Sequence, residues 1–340
     1  MYLRRGVLTT GPLAPLLLSR SDVARHLDLD SCIESVEAAF RAHGNREIPA
    51  PAVLGVHVEK GGFHVKAGVF GEEPRYFAAK LNANFMDNRR LGLPTIQGLI
   101  ALCDATTGGL LAVMDSIEIT AARTAAATAV AARYLAREDA RVVAICGSGT
   151  QGRENLRALC RIRPISRAMI FDANLPIAEQ LAAELRPELG IEIQVVEQFE
   201  KAVRACDISV TCTPARTPVL QTEWIRPGTF VAGVGADAEH KQELPSDLFL
   251  RSLVVVDVLT QCAAFGDLHH ALASGIVTTS AVHAELGAVV AGVALGRTTA
   301  DQITLFDSTG MAVQDVATAA LVYRRCCDSG YAASQFRFNS

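Results

Sequence analysis

The segment VVAICGSGTQG places Gly147, Gly149 and Gly152 in a G-x-G-x-x-G array directly after an apolar run. Asp172 ends the next apolar run, AMIFD, 20 residues beyond Gly152. These residue types at this spacing suit a dinucleotide. The first glycine makes a tight turn, the second admits backbone against a pyrophosphate, and the third lets a helix pack on its strand. The opening turn of that helix offers unpaired N–H groups and the positive end of its dipole to phosphate. A carboxylate at Asp172 would hold ribose hydroxyls and repel a 2′-phosphate, which favours NAD(H) over NADP(H). A glycine turn with Asp172 capping a helix would use the same letters without a cofactor; strand, turn, helix and acid falling in register favour the dinucleotide. Three cations are the other candidates. Lys66 in FHVKAG and Lys80 in FAAKLNANF sit in apolar runs, where an unpaired charge is costly. Arg123, beside Thr124 in EITAARTAAATA, carries a guanidinium suited to gripping a carboxylate. Taken singly, each is also explained as a charge reaching outward from a core edge.

Two kinds of element must position these groups. From Ile48 to about Val113 the chain reads as short apolar runs punctuated by Pro and Gly, such as AVLGVHV, GGFHVKAGVF, YFAAKLNANF and PTIQGLIALCD. This pattern predicts a largely antiparallel sheet. Asp30–His43 reads as a helix capped by Asp30 or Ser31 and stopped by Gly44. Ser116–Ala136, Ala-rich and free of Gly and Pro, predicts one long helix able to pack on two sides and bridge two domains. Beyond it, ARVVAICG, SRAMIFD, IEIQVV, DISVTCT, TFVAGVG and SLVVVDV alternate with helical stretches, the mark of a parallel sheet covered on both faces. The expected fold is therefore α/β: a Rossmann dinucleotide-binding domain over residues 125–310, and an α+β substrate and dimerisation domain with a mostly antiparallel sheet over residues 1–124 and 311–340. The stretch TGMAVQDVATAALVYRRCCDSG reads as a helix returning to that domain.

The 340 residues carry a formal net charge of −4 and are half apolar, which gives no electrostatic reason to expect nucleic acid or an anionic membrane as partner. Pro12–Leu18 is apolar but short and broken by prolines. It predicts an extended N-terminal arm rather than a leader, since no small-residue cleavage site follows. The nine cysteines are scattered, without a CxxC pair, and predict reduced thiols in a cytoplasmic setting; any one could in principle be a nucleophile. His269 and His270, in a helix after FGDL, have no ligand spacing, and no metal is assigned.

Beyond these local signals the chain resembles the ornithine cyclodeaminase/mu-crystallin family, which includes archaeal-type alanine dehydrogenases and cyclic ketimine reductases. The resemblance runs from Leu17 to Tyr323. It rests on AAKLNANF followed by GLPTIQG, on DATTGGLLAVMDSIEITAARTAAATAVAARYLA, and on GSGTQG, GADAEHKQEL and LFDSTG, in that order. It implies a homodimer built through the first domain, with NAD(H) on the second. By the resemblance, Lys80 and Arg123 match residues that hold a substrate α-carboxylate. Thr95, Thr124, Thr150, Gln151, Asp172, Thr213, Lys241 and Ser308 match positions that contact the dinucleotide. Asp237 matches an acid that meets the substrate amine and assists proton transfer; by itself it reads as an ordinary turn aspartate. Two departures stand out. The family's arginine near the start of the first sheet is missing from Ala50–Gly55, so Lys66 is a candidate for the absent charge. His64 stands where cyclodeaminases carry a glutamate, which weakens the case for a substrate with a terminal amine.

The resemblance implies hydride transfer at the α-carbon of an amino acid or its (cyclic) imine, as a dehydrogenase or ketimine reductase. The alternatives are a cyclodeaminase that uses NAD catalytically and a non-catalytic NAD(P)H-binding protein. In either enzymatic reading Lys80 or Asp237 is the candidate acid or base.

Overall fold

A computed structural model describes residues 14–335, apart from the side chains at positions 86 and 89. Pro12 and the remainder of segments 1–13 and 336–340 lie outside the described residues. Chain order begins with β1 (Leu16–Leu18), α1 (Arg20–His26), α2 (Leu29–Gly44), β2 (Ala52–Val58), β3 (Gly61–Phe70), β4 (Tyr76–Asn84), β5 (Ile96–Asp104), β6 (Leu110–Asp115) and α3 (Ile117–Leu135). The strands form a seven-stranded sheet in the order β15-β1-β6-β5-β4-β3-β2, where β15 is Ser334–Gln335. All pairs are antiparallel except β1 with β6.

The sequence reading needs three corrections here. The expected arm is, from Leu16, a paired strand that fills the sheet beside β6. Helix α1 was not anticipated, although Ser19 and Asp22 form a reciprocal capping box at its start. Helix α2 begins at Leu29, capped by Asp28, whose side chain accepts from the Ser31 N–H at 3.0 Å. Asp30 instead lies in its first turn, where a carboxylate favours the dipole.

The second sheet is fully parallel. Its elements are β7 (Val142–Cys146), α4 (Thr150–Ile162), β8 (Arg167–Phe171), α5 (Leu175–Leu189), β9 (Glu192–Val195), α6 (Phe199–Val203), β10 (Ile208–Thr211), β11 (Phe230–Gly233), α7 (Leu248–Arg251), β12 (Leu253–Val256), α8 (Leu259–Phe265), α9 (Asp267–Ala273), β13 (Val282–Glu285), α10 (Leu286–Val290) and β14 (Thr304–Asp307). The strand order is β13-β12-β14-β11-β10-β7-β8-β9. Its strands read as continuous apolar runs because both faces are covered. Val143 and Ile145 enter one core, while Ala144 and Cys146 enter the other. The order reverses between β7 and β10, and the crevice beyond the carboxyl ends of such strands is where open α/β sheets bind ligands. Strands β13 and β14 were not read from the sequence.

Helix α3 is buried along both sides and packs on α2 and α4. Its alanines let neighbouring backbones approach closely. Helix α11 (Ala312–Asp328) leaves the last strand of the parallel sheet and crosses onto β3 and β4. Gly68 on β3 lies against Ala312 and Val313 at the start of α11, where a Cβ would come to 3.4 Å from both side chains. The return of this helix delivers Gln314 and Asp315 to the first sheet. All nine cysteines are free thiols, and among the described residues no helix is long and apolar enough to cross a membrane.

Candidate active site

The glycine loop has the geometry that its spacing predicts. Gly147 has φ +107°, and Gly149 caps α4 with open space where a Cβ would stand. A Cβ at Gly152 would fall 1.9 Å from the Gly147 carbonyl oxygen, so only glycine lets α4 pack this closely on the turn. Thr150 and Gln151 form the first turn of α4. Asp172 follows β8, and its Oδ2 accepts the Ser148 N–H at 2.8 Å while Oδ1 accepts that of Asn174. The Ser148 hydroxyl is buried without a partner. A cradle that excludes side chains, a helix N-terminus and a carboxylate at the tip of the second strand fit a dinucleotide with free ribose hydroxyls. Asp172→Ala should therefore weaken NADH binding about tenfold or more, the scale of one charged hydrogen bond, and reduce discrimination against NADPH. Fluorescence titration with both cofactors checks this, and a wild-type preference for NADPH would remove the ribose role.

Thr213 follows β10 on the other side of the crevice, its methyl 3.2 Å from the Cβ position of Gly147. The buried Glu243 holds it there, accepting from the Thr213 N–H at 2.5 Å and hydroxyl at 2.8 Å, and from the Gly235 N–H at 2.6 Å. Glu243 is in turn fixed through its own N–H, which donates to Asp267 Oδ1 at 2.7 Å. Asp307, at the end of β14, accepts from the first N–H groups of α9. Burial pushes the carboxyls of Asp267 and Asp307 above the ordinary range, with the charge of Asp307 adding to the rise in Asp267 and that of Asp257 to the rise in Asp307. Asp257 binds the next loop, accepting from Gly310 N–H at 2.6 Å and the hydroxyls of Thr309 and Ser308. These four buried carboxylates brace the loops around the crevice, and none was singled out in the sequence. Their only signal there is an acid at the end of apolar strands, as in VVVDV and LFD.

A cleft of about 590 Å³ opens between those loops and one face of the first sheet. Lys66, Lys80, Arg123 and Asp237, distant in sequence, all line it. Lys66 and Lys80 are directly opposed across β3 and β4. Lys80 Nζ donates to Asp315 Oδ1 at 2.8 Å, and Arg123 Nε donates to the same oxygen at 3.1 Å. Arg123 also donates to Gln314 Oε1 at 3.0 Å. Gly310 (φ +82°) makes room for the guanidinium, since a Cβ there would lie 2.4 Å from it. Lys80 is 2% exposed and Arg123 6%, which excludes the reading that either reaches out to solvent. Burial, then the adjacent Arg123 charge, lowers the Lys80 ammonium to about 7. Lys66 is lowered by the same two causes. Its Nζ donates to the carbonyls of Thr309 and Gly310 at 2.8 and 2.7 Å, so it ties the loop after β14 to the first sheet. Asp315 and Gln314 were missed because their role depends on where α11 returns.

Asp237 stands at the cleft mouth, half exposed, with Lys241 Nζ donating to its Oδ1 at 2.5 Å. Partial burial opposes its ionisation, but the Lys241 ammonium outweighs that and keeps the carboxyl below its ordinary range. The His270 imidazole donates to the Lys241 carbonyl at 2.8 Å and that of His269 to the Ala263 carbonyl at 3.1 Å. Ser308 lies buried after β14. The Thr124 hydroxyl is spent on the Thr120 carbonyl at 2.7 Å. Thr95 precedes β5, and its carbonyl accepts from Phe85 N–H.

Fold and cleft together define an NAD(H)-dependent oxidoreductase of the amino-acid and imine class. The chain belongs to the ornithine cyclodeaminase/mu-crystallin family, whose model matches residues 14–330. It is similar to the solved Delta(1)-pyrroline-2-carboxylate reductase of Thermococcus litoralis in complex with NADH and L-proline, with 37% identity, a TM-score of 0.88, and coverage of 93% of this chain and 98% of that one. An archaeal alanine dehydrogenase dimer with bound NAD superposes with a TM-score of 0.92 at 34% identity, covering 96% of this chain and all of the other. The iminosuccinate reductase of Paracoccus denitrificans is 30% identical over 325 residues, 93% of this chain and 98% of that protein.

Proposed function

We propose that this protein interconverts an α-imino acid and its α-amino acid, with Lys80 and Arg123 binding the α-carboxylate and Asp237 serving the nitrogen. The carrying observation is the convergence of two buried, carboxylate-braced cations and one ionised acid on a single cleft between the first sheet and the loops of the parallel sheet. NAD(H), when bound, donates or accepts the hydride at the α-carbon. Lys80 and Arg123 set that carbon's position by gripping the carboxylate, and orientation of this kind supplies much of the acceleration in such reactions. Asp237, ionised beside Lys241, stabilises a protonated imine and can take or return a proton at nitrogen. The named relatives act on cyclic, monocarboxylic and dicarboxylic versions of this unit, which supports the shared α-imino carboxylate. The histidine at position 64 supports it too, since it offers no carboxylate to a terminal amine.

The test is a pair of assays with product mass spectrometry: amino acids with NAD+, and imines with NADH. Net change in nicotinamide absorbance is expected. Ammonia and a cyclic amino acid without net NADH would make the protein a cyclodeaminase instead. Asp237→Asn should leave NADH binding intact and lower kcat by 10²-fold or more, the usual range for acid–base groups. Full turnover in that variant would make Asp237 structural.

A homodimer is part of this reading. The face of the first sheet opposite the cleft exposes Leu54, Val56, Phe63, Leu81 and Leu99, which alternate with the cleft residues and form an apolar surface suited to a second copy. Light scattering should give a dimer, and Leu54→Asp with Val56→Asp should give monomers. A wild-type monomer at micromolar concentration would refute it.

A further inference from the structure

The register of the first sheet arranges the cleft face in three rows. Val53, Lys66, Lys80 and Ile100 are directly paired in the first. Gly55, His64, Asn82 and Gly98 form the second, and His57, Gly62, Asn84 and Ile96 the third. Successive rows stand two residues apart along the strands, about 7 Å. The first row holds Lys80, already assigned to the α-carboxylate, directly beside Lys66. The second row is built differently. Glycines flank it on both sides, leaving His64 and Asn82 as its only side chains.

Both side chains are set up as donors. The Ser116 hydroxyl donates to Asn82 Oδ1 at 2.8 Å, which leaves the amide NH₂ for the cleft. Gly98 makes this bond available, because a Cβ there would lie 2.1 Å from Asn82 Oδ1 and 2.7 Å from Ser116 Oγ. Among the described residues the His64 ring has no hydrogen-bond partner. Its neighbour is the His57 ring, 6.0 Å away in a T-shaped contact. A Cβ at Gly55 would rest against the His64 ring at 3.6 Å, so the glycine keeps that side open.

From this arrangement we propose that the substrate is an α-imino or α-amino dicarboxylate of four or five carbons, its distal carboxylate bound by His64 and Asn82. The inference rests on the reading given above for the α-carboxylate. Such a molecule spans about 4–5 Å between its carboxyl carbons. That bridges two rows about 7 Å apart once the side chains lean over their strands. Charge selects the same ligand. Lys66, Lys80 and Arg123 face a single bonded carboxylate, Asp315, while Asp237, paired with Lys241, serves the protonated imine. An α-carboxylate alone leaves that excess uncompensated, and a second carboxylate reduces it. An apolar ring would leave the Asn82 amide unsatisfied. Reduction is balanced as one imine, one NADH and one proton giving one amine and NAD+.

The experiment has two arms. In the first, NADH oxidation is followed with ammonium and matched 2-oxo acids: oxaloacetate against 2-oxobutanoate, 2-oxoglutarate against 2-oxopentanoate, and a cyclic imine. The better dicarboxylate should exceed its apolar counterpart in kcat/KM by tenfold or more. His64→Ala and Asn82→Ala should each lower that ratio by roughly tenfold. The second arm measures succinate, glutarate and butanoate binding to the protein with NAD+ by calorimetry, where no turnover occurs. Tighter dicarboxylate binding that weakens in both variants is expected even if the reaction differs from the one proposed. Equal binding of dicarboxylate and butanoate, or a ratio that neither variant moves, would overturn the assignment. So would a cyclic imine or monocarboxylate as the best substrate.

Discussion

Replacing Asp315 with alanine is expected to cost about 3–5 kcal/mol of stability and abolish turnover. The carboxylate is 1% exposed and accepts from both Lys80 and Arg123. Its own ionisation is opposed by burial, and those two cations more than restore it, holding it below the ordinary carboxylate range. Removing one partner of a buried ion pair leaves the others uncompensated, and that loss generally falls in this range. Here the uncompensated group is larger than a pair, because Lys66 lies directly across the strand from Lys80. The midpoint of thermal unfolding should drop by roughly 5–10 °C. Asp315→Asn separates shape from charge: it should recover part of the packing and none of the electrostatics. An alanine variant that unfolds at the wild-type temperature would show that the three cations do not depend on this carboxylate.

Lys80 should impose an alkaline limit on catalysis. Below about 7 its ammonium is charged and attracts the α-carboxylate; above that the amine is neutral and the attraction is lost. With saturating cofactor, kcat/KM should therefore fall as pH rises beyond about 7, approaching tenfold per unit. Bound carboxylate favours the charged form, so the limb in kcat should lie at higher pH than the limb in kcat/KM. Lys80→Arg should move the limb upward by more than two units, because a guanidinium stays protonated. An unchanged profile in that variant would assign the limb to another group. Stability runs in the opposite direction. The folded value is depressed from 10.5 to about 7, so the unfolded chain binds the extra proton between those limits. The Lys80 contribution to stability should thus rise with pH across that window.

Much of this protein was legible from local pattern. The glycine loop and Asp172 could be read because strand, turn, helix and acid are consecutive in the chain, and their geometry is set by sterics within a few residues. The parallel sheet was legible for a related reason: strands buried on both faces must be apolar throughout. Lys66 and Lys80 stood out as charges inside apolar runs. The alternation that also exposes His64, Asn82 and Asn84 on their face is visible in FHVKAG and AKLNANF once the strands are known. The residues that give these side chains their properties could not be read this way. Asp315 meets Lys80 only because α11 returns across β3 and β4, and Glu243 reaches Thr213 only because two loops fold over one crevice. A charge among apolar neighbours announces that it needs a partner. Which partner it finds, and hence whether it remains a cation at neutral pH, is decided by contacts between residues 192 to 235 positions apart.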